Sequence, residues 1–146
     1  MEWVALSARV VVAATLCAAG LMKMAAGRGA FADSVRAYDL VPARLAEPLA
    51  AALPAFEVAL GALLLMGALT RPAAAAACLL LLAFAGAMAA NLQRGRSNDC
   101  GCFGRRKRIA WSLVRRNFSL AAVALVLVLT GPGAVALDAT ILGGGR

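Results

Sequence analysis

Four stretches of the chain are almost free of polar side chains: Trp3 to Met22, Leu49 to Leu69, Ala73 to Leu92 and Phe118 to Leu137. A helix needs roughly 20 mostly apolar residues to cross the hydrocarbon core of a bilayer. Each run therefore predicts a transmembrane helix, and together they predict an all-α integral membrane four-helix bundle forming a single domain over residues 1–146. The last two runs carry no charge, whereas Arg9 interrupts the first and Glu57 the second. Between the runs lie a long first connection from Lys23 to Pro48, a tight Thr70-Arg71-Pro72 turn and a long third connection from Gln93 to Asn117. The end of that third connection, "IAWSLVRRN", reads as a short amphipathic elbow at the interface with Trp111 at headgroup depth. The tail "ILGGGR" reads as frayed.

Composition supports the membrane reading. In 146 residues, 63% are hydrophobic, more than one soluble core of this size can hold. The first run is expected to stay in the protein rather than be cleaved as a signal peptide, because Glu2 precedes it, Arg9 lies inside it and no well-placed A-x-A site follows. A lipoprotein signal at Cys17 is equally poor, with Leu16 where a small residue is needed.

The net charge of +8 is unevenly placed. With four spans, the first and third connections share one side, and they hold 12 basic residues against three (Arg9, Arg71, Arg146) nearer the other. The positive-inside rule puts those two connections in the cytoplasm of a multi-pass protein. Arg105 to Arg108 resembles a nuclear-targeting run, but in such a protein these side chains anchor to lipid phosphates. No nucleic-acid module is present, and the bilayer itself is the expected partner.

Cys17 and Cys78 sit inside apolar runs, roughly 10 Å from the long-connection face and roughly 9 Å from the opposite face by helical rise, so they are expected to be packing residues that do not meet. Cys100 and Cys102 differ, because they stand outside the apolar runs in "NDCGCFGRRKR" with only Gly101 between them. A disulfide across one residue closes a small strained ring, and glycine best tolerates the dihedrals it needs. Strained disulfides are readily reduced, and the neighbouring Arg94, Arg96 and Arg105 to Arg108 favour thiolate. Phe103 and Gly104 can turn the chain back toward the bilayer. Thiol exchange leads over an inert bridge. A zinc site trails both, since the chain has no histidine and Asp99 does not complete a ligand set.

Glu57 lies about 12 Å below the long-connection face by helical rise, a costly depth for a charge. It shares a stripe with Ala50, Pro54 and Gly61, whose small side chains and kink suit close helix approach. Lys23 is expected to reach it, with Asn91 at the same level. These groups and the Cys-Gly-Cys connection gather at one end of the bundle, where a quinone headgroup, a proton or a partner thiol can be handled. A purely structural polar clamp is the competing reading.

Lys23, the set Phe31, Ser34, Tyr38, Leu40, Val41 and Pro42, "LPAFE" with Pro54 and Glu57, "NDCGCFG" and "VRRN" ending at Asn117 together resemble the methylamine utilization protein MauE family, part of the wider DoxX-like group of four-helix membrane proteins. The resemblance covers about residues 5–130, and the Cys-Gly-Cys-Phe-Gly element is its most specific part. It implies a bacterial inner (plasma) membrane protein that assists maturation of methylamine dehydrogenase, an exported disulfide-rich client, together with a thioredoxin-like partner. A disulfide role for an exported client favours the outer face, against the charge count. Three functions follow as expectations: a membrane thiol-disulfide redox protein using Cys100 and Cys102, a subunit of a quinone-linked oxidoreductase with Lys23 and Glu57 near a quinone, and a non-catalytic scaffold.

Overall fold

The computed structural model describes residues 2–96, 108–133 and 136–138. Its elements are α1 (Glu2–Ala26), α2 (Arg28–Tyr38), a 3-10 turn (Ala43–Leu45), α3 (Ala46–Met66), α4 (Thr70–Gln93) and α5 (Trp111–Thr130). The described residues are all-helical. α1, α3 with its preceding turn, α4 and α5 are each long and apolar enough to cross a membrane, giving a multi-pass membrane protein.

The buried positions of α1 are Ala5, Arg9, Val12, Ala13, Leu16, Ala19, Gly20 and Lys23, the three-and-four spacing of one helix face. The same spacing recurs in α3 at Ala50, Pro54, Glu57, Leu60, Gly61 and Leu64. The outward faces carry Val10, Val11, Leu21, Phe56, Leu79 and Leu125 instead. The arrangement inverts that of a soluble bundle: Arg9, Lys23, Glu57, Thr70, Asn91 and Asn117 are buried while large aliphatic side chains face outward to lipid.

α1 packs chiefly on α3, and α4 chiefly on α5. Two glycines set the α1–α3 distance. A Cβ on Gly20 would stand 2.6 Å from the Pro54 carbonyl oxygen and 2.7 Å from Val58 Cγ2. One on Gly61 would strike Cys17 Sγ and lie 2.9 Å from the Ala13 carbonyl oxygen. Apolar side chains gain little by leaving lipid, so this close contact supplies the packing that holds the pair together.

The first connection is more ordered than the sequence reading expected. It folds into α2, whose Phe31 and Ala32 pack with Ala50 of α3. The expected elbow is likewise replaced, because "WSLVRRN" forms the opening turns of α5. Val114 and Asn117 extend the buried stripe of Leu120, Ala121, Ala124 and Leu127 by helical spacing. α5 ends at Thr130 rather than near Leu137, where Gly131-Pro132-Gly133 stops it. The tail "ILGGGR" lies outside the described residues.

Beyond α5 the chain crosses the α3–α4 turn. Gly67 takes the left-handed conformation (φ 65°) that closes α3, and Asp138 N–H donates to the Gly67 carbonyl at 3.0 Å. The Asp138 carboxylate accepts from Leu69 N–H at 2.8 Å and Thr70 N–H at 2.7 Å, capping α4. Arg9 reaches the same end, and its Nη1 donates to the Pro132 carbonyl at 2.8 Å. Desolvation there works against ionisation of Asp138. Its bonds from Thr70 and Leu69, with Arg9 nearby, outweigh this and hold the carboxyl below its ordinary value.

Two stability outcomes follow. Gly61→Leu is expected to lower the thermal midpoint of the detergent-solubilised protein by forcing α1 from α3, an overpacking cost of about 1–3 kcal/mol or more; an unchanged midpoint would show that the helices do not approach closely. Asp138→Ala is expected to cost about 1 kcal/mol, the scale of a lost cap. A depressed carboxylate pKa contributes stability that is complete above the ordinary carboxylate value and is lost as pH falls through the folded one. The midpoint of the variant should therefore fall less than that of the wild type between neutral and strongly acidic pH, as read by circular dichroism.

Candidate functional site

Lys23 ends the buried stripe of α1 and Glu57 sits midway along that of α3, so the α1–α3 contact brings the two together. Lys23 Nζ donates to Glu57 Oε1 at 2.6 Å, and the residues are only 3% and 1% exposed. Burial at this depth is tolerable because each charge is matched. Glu57 Oε2 is buried with no hydrogen-bond partner among the described residues.

Two aromatic rings complete the surroundings of the ammonium. Nζ stands 5.1 Å from the centroid of Phe31 on α2 and 4.6 Å from that of Phe84 on α4, both within cation–π range. One lysine is thus held by a carboxylate on α3 and by rings from two further helices, which ties α2 and α4 to the α1–α3 pair.

Beside Lys23 is a cavity of about 140 Å³ whose walls include Phe31, Tyr38, Leu53, Phe84 and Met88. Tyr38 belongs to α2, outside the membrane spans, and burial pushes its phenol up to about 12. Asn91 Nδ2 donates to the Tyr38 carbonyl at 3.1 Å and to the Ala87 carbonyl at 3.2 Å, joining α4 to the end of α2. Arg96 Nη1 meets Asp39 Oδ2 at 3.2 Å. Arg36 meets Glu47 at 2.7 Å and Asp33 at 2.8 Å. These ions are exposed, so each pair contributes little energy, but together they orient α2 over the cavity.

The structure therefore joins Lys23 to Glu57 and anchors Asn91 to the α2 end at the same end of the bundle. Cys100, Gly101, Cys102, Phe103 and Gly104 lie outside the described residues. The flanks of their connection are anchored at that end, Arg96 on Asp39 and Ile109 in an apolar cluster with Ala85, Met88 and Val114. Cys17 is half-buried and Cys78 buried, both as free thiols. Sequence reasoning missed α2, Phe84 and the cavity, although Phe31, Val35 and Tyr38 recur at helical spacing within the first connection. It also missed the clamp of Arg9 and Asp138, signalled by Asp138 being the sole acid after Asp99.

The profile of a family described as methylamine utilisation protein MauE matches residues 1–130. The methylamine utilization protein MauE of Paracoccus denitrificans is 41% identical over 113 residues, covering 75% of this chain and 61% of that protein. That of Paracoccus versutus is 41% identical over 139 residues, covering 90% and 74%, and that of Methylorubrum extorquens is 35% identical over 124 residues, covering 83% and 66%. The chain thus spans about three fifths of the length of the Paracoccus denitrificans relative. No solved structure matches it.

Removing one member of a buried pair leaves an uncompensated charge, at a cost of roughly 3–5 kcal/mol. Glu57→Gln is expected to lower yield and thermal midpoint sharply, and the double change Lys23→Met with Glu57→Leu to recover a substantial part. The check is a double-mutant cycle in detergent. Independent, additive losses would show that the two side chains do not interact.

Proposed function

The chain belongs to the family of the methylamine utilisation protein MauE, and we propose that it acts in methylamine utilisation as a membrane thiol-disulfide redox protein. In this reading it assists maturation of an exported disulfide-containing client, such as a methylamine dehydrogenase subunit, with a thioredoxin-like partner. The membrane would be the bacterial inner membrane.

Cys100-Gly101-Cys102 carries the reading: two thiols one glycine apart, on the connection between two closely packed membrane helices and beside a run of arginines. The chemistry balances without a cofactor. One cysteine thiolate attacks a disulfide sulfur of the partner, forming a mixed disulfide and releasing a partner thiolate. The second cysteine then attacks that mixed bond, closing the Cys100–Cys102 disulfide and releasing the partner as a dithiol. The reverse sequence delivers a disulfide to the partner. A small strained ring favours reduction, and the cationic neighbours raise the thiolate fraction. The anchored flanks at Arg96 and Ile109 support presentation of the connection at the membrane surface. The charge distribution favours its cytoplasmic face, where a cytosolic thioredoxin-like protein is within reach, whereas direct exchange with an exported client requires the outer face.

Cys100→Ser and Cys102→Ser are each expected to abolish client maturation while leaving membrane insertion intact. One of the two should trap a mixed disulfide with the partner, seen as a band that disappears on reduction. Cys17→Ala with Cys78→Ala should remain active, since those thiols pack within the bundle. Full activity of either connection variant would remove the thiol reading and favour a scaffold, and an active exported phosphatase fused into the third connection would overturn the cytoplasmic placement.

A further inference from the structure

The cavity beside Lys23 has a shape and chemistry that the thiol reading does not use. Its volume of about 140 Å³ is close to the roughly 150 Å³ of an apolar cavity known to accept benzene, so it suits one six-membered ring. Three of the chain's eight aromatic residues (five Phe, two Trp, one Tyr) form its walls, Phe31, Tyr38 and Phe84, and ring faces pack well against another planar ring. The remaining walls are mostly aliphatic, and they continue to Leu40, which is itself exposed at the end of α2. The lining therefore favours an apolar ligand over a strongly hydrated one.

Lys23 supplies the one charged group in this lining. It is almost wholly buried and its charge is already matched by Glu57 Oε1 at 2.6 Å. An anionic ligand would leave the site with a net buried negative charge, at a large desolvation cost. A neutral carbonyl adds no charge and accepts one of the remaining ammonium protons, a hydrogen bond that is strong because its donor is ionised. The preferred ligand is thus a neutral, bilayer-soluble six-membered ring with a carbonyl on its edge.

We propose that this cavity binds the headgroup of a lipid-soluble benzoquinone, with Lys23 Nζ donating to one ring carbonyl while Glu57 holds the ammonium in place. The tail leaves past Leu40 into the bilayer. All the named walls come from α1 to α4 and the segment after α2, and neither Cys100 nor Cys102 is needed to form them, so binding can be tested without the thiols.

The probe is a decyl-trimethyl-1,4-benzoquinone, whose fully substituted ring resists addition by thiols. It is titrated by calorimetry into the purified full chain in detergent, beside decylbenzene, which has the tail and the ring but no carbonyl. The quinone is expected to saturate at one per chain and to bind at least tenfold more tightly than decylbenzene. Lys23→Met with Glu57→Leu should abolish that tenfold preference, so that the two probes bind alike. Ala87→Leu fills the cavity and leaves the ion pair intact, so it should weaken both probes at least tenfold. Cys100→Ser with Cys102→Ser should bind the quinone as the wild type does, whatever becomes of client maturation. Equal binding of the two probes, or a quinone affinity unmoved by Ala87→Leu in a folded protein, overturns the proposal and leaves an acyl-chain crevice in its place.

Discussion

The matched burial of Lys23 and Glu57 is the interaction on which the arrangement of helices depends. Neither charge is stable alone at that depth, and the two meet only if α1 and α3 approach within the distance that Gly20 and Gly61 permit. A lysine at the end of an apolar helix would ordinarily extend its ammonium to the interface. Here it is drawn inward by the carboxylate and covered by Phe31 and Phe84. The coverage explains why α2 folds over the bundle instead of trailing along the membrane surface. One pair thus specifies helix spacing, the seat of α2 and one wall of the cavity.

The two ends of the bundle use buried charge differently. At the end away from the ion pair, Arg9 and Asp138 act on backbone groups: a carbonyl after α5, the amide that starts α4 and the turn that ends α3. Arg9 Nη1 and both Asp138 carboxylate oxygens are bonded to backbone groups there, and Thr70 Oγ1 is buried without a hydrogen-bond partner among the described residues. At the other end, Lys23 still has protons that engage only aromatic faces, and Glu57 retains an oxygen without a partner among the described residues. Hydrogen-bonding capacity left in an apolar setting is destabilising unless something uses it, and at this end Lys23 lines a cavity in which a ligand can do so.

The spans were legible in the sequence because lipid imposes length and hydropathy on each helix separately, and the deep Glu57 with its small-residue stripe indicated a buried face. The limits of the fourth helix were not, because "WSLVRRN" looks interfacial by charge. Its buried face, Val114 and Asn117, shows only when its register is followed into Leu120 and Ala124. α2 was hidden for a similar reason: Phe31, Val35 and Tyr38 form a short apolar face in a segment otherwise polar enough to read as a connection. The clamp joining Arg9 to the C-terminal segment required a contact between residues at opposite ends of the chain, which no local pattern encodes. The candidate thiols, by contrast, were visible only in the sequence.

The Cys-Gly-Cys connection and the cavity share their supports. Met88 lines the cavity and belongs to the same apolar cluster as Ile109, where the connection re-enters the bundle. Asp39 ends α2, the helix that covers the cavity, and holds Arg96, where the connection leaves. Any ligand that displaces Met88 or shifts α2 acts on both flanks of the segment that carries Cys100 and Cys102. The exposed Asp39–Arg96 pair adds little binding energy, so this coupling rests on the apolar cluster that holds Met88 and Ile109. The cavity and the described flanks of the connection are thus linked through packing, without a charge passing between them.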